Sequence, residues 1–333
     1  MQAKAVVTLA PRQIEVQTIS VPEPTPEDVV IRVTHSWISP GTEGSFIRGE
    51  RINGETPRAP NDPRPFPLIT GYQKVGVVEW IGAAVKQFSL GETVFATVSK
   101  VNGMHFATGG HVSPAVTHSS QVYALPGNNT VPPVAYSGLV LAQVGYNCGA
   151  RPTIHTDDAA VVIGDGLVAH WAAQTLVHRG ASVMMLGRHD TRLMRFRTRS
   201  QDRRVNTRSE DVLTVARTWA PEGVQAMIDT VGSVADLEGF IPLMKHNGHM
   251  VSAGFHGTRG HMDLQHLRFG ELTLHSPSGW DIDRMTATRD LIASGALQTE
   301  PLITHHYPVD QAVEAFAHIL NRDADALGII LTW

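Results

Sequence analysis

A glycine turn between an apolar strand and a helix constrains this sequence more than any other feature. In "VVIGDGLVAHWAAQ", Gly164 and Gly166 directly follow a β-branched run and open a helical pattern, with Ala169 where a third glycine often stands. Glycines at this spacing let the backbone turn tightly and approach a pyrophosphate, which binds at the helix N-terminus. The pattern predicts a dinucleotide-binding βαβ unit; the alternative is an ordinary tight turn.

The elements around the turn predict an α/β protein of two domains. A chain of 333 residues exceeds the size of a usual single core. Residues 1–126 hold short runs of β type separated by Pro and Gly, which favours a β-rich barrel. From residue 127 onward apolar strands alternate with helical stretches, and this order predicts a doubly wound parallel sheet with helices on both faces. The nucleotide-binding domain is predicted over 127–279, and the tail, 280–333, has a helix, strand, helix, strand order.

Charge and composition limit the partners of this chain. The net charge is -4. The chain has 42% hydrophobic and 17% charged residues, a composition that argues against a disordered or fibrous chain. The arginine-rich run 192–204 is typical of a solvated helix surface, so we expect no nucleic-acid partner. No apolar stretch is long enough to span a bilayer, and no basic segment precedes an apolar run at the N-terminus. We therefore expect no membrane contact and a cytoplasmic location.

The end of the second predicted strand indicates which dinucleotide is bound. An acidic residue that bonds the ribose 2'-hydroxyl is expected there, about 20 residues after the first glycine. The strand "ASVMML" ends instead in Gly187 and Arg188, with Arg192 nearby. A guanidinium at this place suits a 2'-phosphate, so we predict NADP(H) as the cofactor. The alternative is that Arg188 is a solvated loop residue.

Further cofactor contacts are predicted beside the glycine turn and at the carboxyl ends of later strands, where open α/β sheets bind their ligands. The alternative for these residues is simple strand-end packing. They are Leu167, Val168, Thr230, Ala253, Gly254, Phe255 and Ser276.

Nearly the whole chain resembles the medium-chain dehydrogenase/reductase superfamily. The resemblance rests on "LITGYQKVGVVEWIG" and "GETVFATV" in the first half, on the glycine turn, and on "AMIDTVGS", "MVSAGF" and the "PLIT" tail. It implies that 1–126 is a GroES-like catalytic domain, that 127–279 is a Rossmann domain, and that 280–333 returns to the catalytic domain. It also implies a homodimer formed through the edges of two Rossmann sheets.

The resemblance places three residues at the ligand positions of the zinc-dependent members. Tyr72 stands where a histidine is usual, and Ser39 and Leu141 stand where cysteines are usual. A phenol, a hydroxyl and an isobutyl group are poor zinc ligands, and a single cysteine, Cys148, excludes a cysteine-rich zinc lobe. We therefore predict no metal. The stretch "SPGTE" also resembles the zinc-free subgroup that includes bacteriochlorophyllide dehydrogenase.

Without zinc, another group must stabilise the oxyanion that hydride transfer creates. By the resemblance, Thr42 matches a hydroxyl that relays the proton. Tyr72 is the candidate hydrogen-bond donor and general acid, Ser39 can complete the donor set, and Glu43 can position or screen them. The structural alternatives are a helix cap or turn for Thr42, a small filler for Ser39, and a half-buried pocket wall for Tyr72.

These features predict an NADP(H)-dependent oxidoreductase that acts on an alcohol or carbonyl group of a small molecule. Two alternatives stay open. One is an ene-reductase that delivers hydride to an activated alkene, and the other is a sensor that binds the nucleotide without catalysis. The sequence does not separate the first two activities and does not identify the substrate.

Overall fold

The computed structural model describes residues 1–53, 56–127, 131–258 and 260–333. Within these residues the chain forms two compact units. The first comprises Met1–Val140 and Thr299–Trp333, and the second comprises Leu141–Gln298. The sequence-based domain boundaries after residues 126 and 279 remain predictions.

The strands and helices follow one another in a β-rich half, an alternating α/β half and a short α/β tail. The strands are β1 (Gln2–Ala10), β2 (Gln13–Ser20), β3 (Asp28–Ile38), β4 (Arg51–Asn53), β5 (Thr56–Pro57), β6 (Lys74–Ile81), β7 (Thr93–Ala96), β8 (Ser99–Lys100), β9 (Thr108–Gly109), β10 (Val112–Ser113), β11 (Ala115–His118), β12 (Val122–Ala124), β13 (Ala159–Ile163), β14 (Ser182–Gly187), β15 (Arg203–Asn206), β16 (Val224–Asp229), β17 (Met244–Ser252), β18 (Thr273–His275), β19 (Ile303–Pro308) and β20 (Gly328–Thr332). The helices are α1 (Pro40–Ile47), α2 (Leu139–Ala150), α3 (Leu167–His178), α4 (Asp190–Leu193), α5 (Val212–Trp219), α6 (Val234–Phe240), α7 (Gln265–Arg268), α8 (Ile282–Ala293) and α9 (Ala312–Leu320). No helix in the described ranges is both long and apolar enough to cross a membrane.

The first unit is built around β3. This strand pairs antiparallel with β6, β11 and β20, so the tail strands join the sheet of the N-terminal half. β19 extends the same sheet by pairing parallel with β20. Inward-facing Val29 and Ile31 lie in one apolar core, and Ile38 packs with Phe316 of α9 in another.

The second unit contains a parallel sheet with the strand order β15-β14-β13-β16-β17-β18. Alternate residues of β13 pack into cores on opposite faces of the sheet: Val162 packs on the face covered by α3, and Val161 packs on the opposite face. This alternation buries both faces of a parallel sheet. The predicted doubly wound sheet is confirmed. The run 192–204, predicted as a helix surface, is helical only to Leu193, because α4 ends there.

Candidate functional site

The first group of candidate side chains lies at the N-terminus of α1. Ser39 is the N-cap residue, and Pro40 takes the first helical position, where its fixed φ and missing N–H suit a helix start. The Glu43 carboxylate accepts the Ser39 N–H at 2.7 Å. This bond satisfies one of the donors left open at a helix N-terminus. The "SPGTE" stretch thus places Ser39, Thr42 and Glu43 at one end of a helix.

Tyr72 reaches the same helix end from the segment before β6. Its hydroxyl donates to Ser39 Oγ at 2.7 Å and also hydrogen-bonds the Thr42 side chain. Burial raises the pKa of the Tyr72 phenol to about 12; the Ser39 hydrogen bond lowers this pKa, and the charge of Glu43 raises it. The phenol therefore keeps its proton at neutral pH. The structure brings the three predicted catalytic residues together, and their catalytic role remains a prediction.

A buried imidazole lies behind this group, and no motif in the sequence predicted it. His111 Nε2 lies 2.8 Å from Glu43 Oε2, and His111 Nδ1 lies 2.9 Å from Ser36 Oγ. His111 is fully buried and Glu43 is 1% exposed. Gly71 has a φ of +88°, and a Cβ at this position would lie 2.7 Å from the imidazole ring, so glycine is required. The glycine directly before Tyr72 was the only signal of this close approach in the sequence.

The residues at the ligand positions of zinc-dependent members do not fit a zinc ion. The side chains of Tyr72 and Ser39 are hydrogen-bonded to each other. Leu141 is buried, and its side chain has no atom that can bind zinc. Burial raises the pKa of the Cys148 thiol to about 12, which disfavours the thiolate that zinc requires. Among the described residues, no group of three or more His, Cys, Asp or Glu could hold a metal ion. The donors at this site are hydroxyl groups.

The predicted nucleotide-binding residues lie in the second unit, at the carboxyl ends of its parallel strands. Parallel strands end at one edge of a sheet, so the residues that follow them line that edge. Gly166 is the N-cap of α3, with open space where a Cβ would stand. The set consists of Gly164, Gly166, Leu167 and Val168 after β13, Gly187 and Arg188 at the end of β14, Arg192 in α4, Thr230 after β16, Ala253, Gly254 and Phe255 after β17, and Ser276 after β18. Their contact with a cofactor remains a prediction.

A carboxylate occupies the end of β14 although no acidic residue ends that strand. Asp165 Oδ2 accepts the backbone N–H groups of Arg188 and His189 at 2.8 and 2.9 Å, and Arg192 Nη1 lies 3.5 Å from Asp165 Oδ1. Burial favours a higher pKa for Asp165, but these contacts together hold its pKa below the ordinary value. A Cβ on Gly187 would lie 2.6 Å from the Asp165 Cβ, so only glycine fits there. In the sequence, the acid between the two glycines of the turn is the signal of this carboxylate.

Comparison with known proteins places the chain among dehydrogenases. Residues 200–325 match the family model described as "Zinc-binding dehydrogenase". The chain is 28% identical over its full length to 99% of the 2-desacetyl-2-hydroxyethyl bacteriochlorophyllide A dehydrogenase of Cereibacter sphaeroides. It is 24% identical to the L-threonine 3-dehydrogenase of Deinococcus deserti, with 94% of each chain covered.

Solved structures share the fold over the whole chain. An Escherichia coli CFT073 protein, described as a short chain alcohol dehydrogenase complexed with NADH, superposes with a TM-score of 0.84 at 20% identity, covering 100% of this chain and 99% of the other. A Sinorhizobium meliloti 1021 protein, described as a candidate zinc-binding dehydrogenase bound to NADP, superposes with a TM-score of 0.80 at 19% identity, covering 100% of both chains. These likenesses confirm the predicted α/β fold with GroES-like and Rossmann domains. These matches support the resemblance of the chain to the medium-chain dehydrogenase/reductase superfamily of oxidoreductases.

Proposed function

We propose that this protein is a zinc-independent oxidoreductase that transfers hydride between the nicotinamide of NADP(H) and an alcohol or carbonyl substrate. The observation that carries the proposal is the Tyr72–Ser39 hydroxyl pair, 2.7 Å apart at the N-terminus of α1. A half-buried phenol that keeps its proton can donate a hydrogen bond to an oxygen on which negative charge develops. The Cereibacter sphaeroides relative is named as a dehydrogenase of a hydroxyethyl compound, which supports the same reaction class.

The residues of this chain have separate tasks in the proposed reaction. A bound nicotinamide supplies or accepts the hydride. When the substrate binds, the single phenolic proton of Tyr72 turns from Ser39 Oγ to the substrate oxygen, and the Ser39 hydroxyl donates to the Tyr72 oxygen in its place. Tyr72 then exchanges its proton with Thr42. Ser39 is 1% exposed, so it holds the phenol in place and does not contact the substrate. In the second unit, Gly166 lets a pyrophosphate approach the N-terminus of α3.

Turnover of chelator-treated protein with deuterated cofactor tests this proposal. Aldehydes, ketones and enones are offered with NADPH deuterated at C4, and the zinc content is measured by elemental analysis. We expect far less than one zinc per chain, activity that survives the chelator, and deuterium on the carbinol carbon of the product. Deuterium on the β-carbon of a reduced enone would identify an ene-reductase. Tight NADPH binding with no turnover would indicate a nucleotide sensor, and about one zinc per chain with chelator-sensitive activity would contradict a zinc-free reaction.

Arg188 supports NADP(H) as the proposed cofactor. Its side chain is exposed, and its backbone N–H is fixed by Asp165 at 2.8 Å, which holds the backbone of Arg188 at the end of β14. The Asp165 carboxylate already accepts two backbone N–H groups and lies 3.5 Å from Arg192. An exposed guanidinium beside this partly neutralised carboxylate can bind a 2'-phosphate.

Arg188→Ala is expected to weaken NADPH binding by about 10- to 150-fold, the range for a charge-assisted hydrogen bond, and to leave NADH binding nearly unchanged. Titration of both nucleotides against the wild type and the variant measures this. Arg197→Ala, at another exposed arginine of the same segment, is the control. If the wild type binds NADH as tightly as NADPH, Arg188 is solvated and Asp165 is the partner of the ribose.

The protein is expected to be a homodimer that pairs through the β18 edges of two parallel sheets. β18 is the last strand of its sheet, and Leu274 within it is 36% exposed. Phe269, just before this strand, is 83% exposed, so the edge offers both backbone groups and apolar surface. Light scattering should give twice the chain mass of 36.1 kDa. Leu274→Lys should shift the protein toward monomer and Leu90→Lys should not, whereas a wild type at the monomer mass would contradict the pairing.

A further inference from the structure

A chain of hydrogen bonds runs from the half-buried Trp333 to the buried Glu43, and one assignment of protons gives each bond a donor and an acceptor. Trp333 Nε1–H donates to Ser36 Oγ at 2.9 Å. Ser36 O–H can then donate to His111 Nδ1, and His111 Nε2–H can donate to Glu43 Oε2. In this assignment Nε2 carries a proton and Nδ1 accepts one, so both imidazole nitrogens are used.

The order serine, histidine, carboxylate is that of a hydrolytic triad, but this set cannot act as one. Ser36 and His111 are fully buried, and Ser36 Oγ already accepts the Trp333 N–H. No substrate carbonyl can reach this hydroxyl, because a nucleophile must approach its target to within about 3 Å. Ser36 and His111 can therefore influence the proposed reaction only through the contact of His111 with Glu43.

Glu43 is connected to the Tyr72 hydroxyl in two ways. Its Oε1 accepts the Ser39 N–H at 2.7 Å, and Ser39 Oγ is the acceptor for the phenol, also at 2.7 Å. A shift of the carboxylate would therefore move the acceptor of the phenol. The negative charge of Glu43 also disfavours a phenolate, and it is one of the causes that raise the pKa of Tyr72.

We propose that Glu43, held by His111, is a positioning residue that fixes the Tyr72 oxygen in place through Ser39. The buried imidazole gives the carboxylate a second fixed donor, so Glu43 cannot turn toward solvent and release Ser39. This inference rests on the proposed function, in which Tyr72 is the hydrogen-bond donor to the substrate. It assigns a role in that function to a pair of side chains that touch neither substrate nor cofactor.

Glu43→Gln is the informative substitution because the fold can accept it. The glutamine oxygen can still accept the Ser39 N–H, and its amide can donate to His111 Nε2 if the imidazole moves its proton to Nδ1. The charge is lost while the shape is kept. Glu43→Asp is the second variant, because it keeps the charge and shortens the reach to Ser39. Glu92→Gln is the matched control, since the Glu92 carboxylate also accepts a backbone N–H, that of Ser89 at 2.8 Å, on an exposed turn.

The first readout needs no substrate. The phenol of Tyr72 is titrated by its ultraviolet absorbance from about pH 8 upward, as the difference between each protein and the same protein carrying Tyr72→Phe. We expect Glu43→Gln to move the midpoint down by about one pH unit, and Glu43→Asp and Glu92→Gln to leave it near the wild-type value. The second readout is kcat with NADPH, which should fall about 10-fold in both Glu43 variants with NADPH affinity unchanged.

The outcomes separate this inference from the proposed function. If Tyr72→Phe keeps full turnover, the proposed function fails. If Tyr72→Phe is impaired while Glu43→Gln keeps the wild-type titration midpoint and kcat, this inference alone is overturned, even if the variant melts at a lower temperature. If Glu43→Gln does not fold, Glu43→Asp decides, because wild-type kcat in that variant would also overturn the positioning role.

Discussion

Tyr72→Phe is expected to lower kcat by about 10²-fold or more, the range for losing one oxyanion donor or a general acid, with NADPH affinity unchanged. The substitution keeps the ring and removes only the oxygen that donates to Ser39 Oγ at 2.7 Å. Its cost in folding free energy should be about 1 kcal/mol, that of one hydrogen bond. Single-turnover measurements at saturating NADPH separate loss of the chemical step from loss of binding.

Tyr307→Phe is the matched control for this prediction. The Tyr307 hydroxyl also makes a short bond, 2.6 Å to His318 Nε2, but it belongs to a different cluster of the first unit. The control should lose a similar amount of stability and keep its turnover. Full activity of Tyr72→Phe would show that Tyr72 is a wall of the pocket and that another group stabilises the oxyanion.

Lys74→Met is expected to stabilise the fold by about 1–3 kcal/mol at pH 7. Lys74 is fully buried, and burial lowers the pKa of its amine from 10.5 to about 7. Each pKa unit corresponds to about 1.4 kcal/mol, and at pH 7 the folded amine is already half deprotonated, so burying it costs on the order of 4 kcal/mol at this pH. Methionine has a similar shape and no charge, but it loses the bond from Lys74 Nζ to the Thr97 carbonyl at 2.6 Å, which offsets about 1–3 kcal/mol of the gain.

The stability difference between the wild type and Lys74→Met should depend on pH, because folded and unfolded Lys74 bind protons differently. Unfolded Lys74 holds its proton up to about pH 10.5, whereas folded Lys74 holds it only up to about pH 7. Between these values the unfolded state binds more protons, so the contribution of Lys74 to wild-type stability rises with pH in this window and is constant below it. The advantage of Lys74→Met should therefore be largest at pH 7 and below, and it should vanish or reverse near pH 10.5.

Denaturant unfolding at several pH values measures the difference between the wild type and the variant. Lys86→Met is the control, because Lys86 Nζ also bonds a backbone carbonyl, that of Ala83 at 2.8 Å, on the exposed surface. It should change stability little at any pH. A Lys74→Met variant that is less stable than the wild type at pH 7 would mean that the amine is charged in the fold and paired more strongly than its contact with Thr97 indicates.

The fold class followed from short-range patterns in the sequence. β-branched runs, the spacing of Gly164 and Gly166, and the alternation of strands with helices are local features, and they lead to a parallel sheet because such strands must be covered on both faces. The lack of zinc ligands at residues 39, 72 and 141 could likewise be read from residue types alone, once the resemblance had placed those positions. The end of α4 at Leu193 could not be read from the sequence, because a short helix depends on tertiary packing more than on local propensity.

The partners of the candidate site were decided by the tertiary structure. His111 lies 68 residues from Glu43 in the chain, and they meet because two separate segments pack together with Gly71 leaving room for the imidazole. Asp165 reaches the end of β14 because β13 and β14 are adjacent parallel strands and Gly187 has no side chain to exclude it. The sequence by itself determined which elements form and which residue types stand at the motif positions, since those depend on near neighbours. Which buried carboxylate meets which donor depends on strand register and on a few tenths of an ångström of space, and only the packed chain sets these.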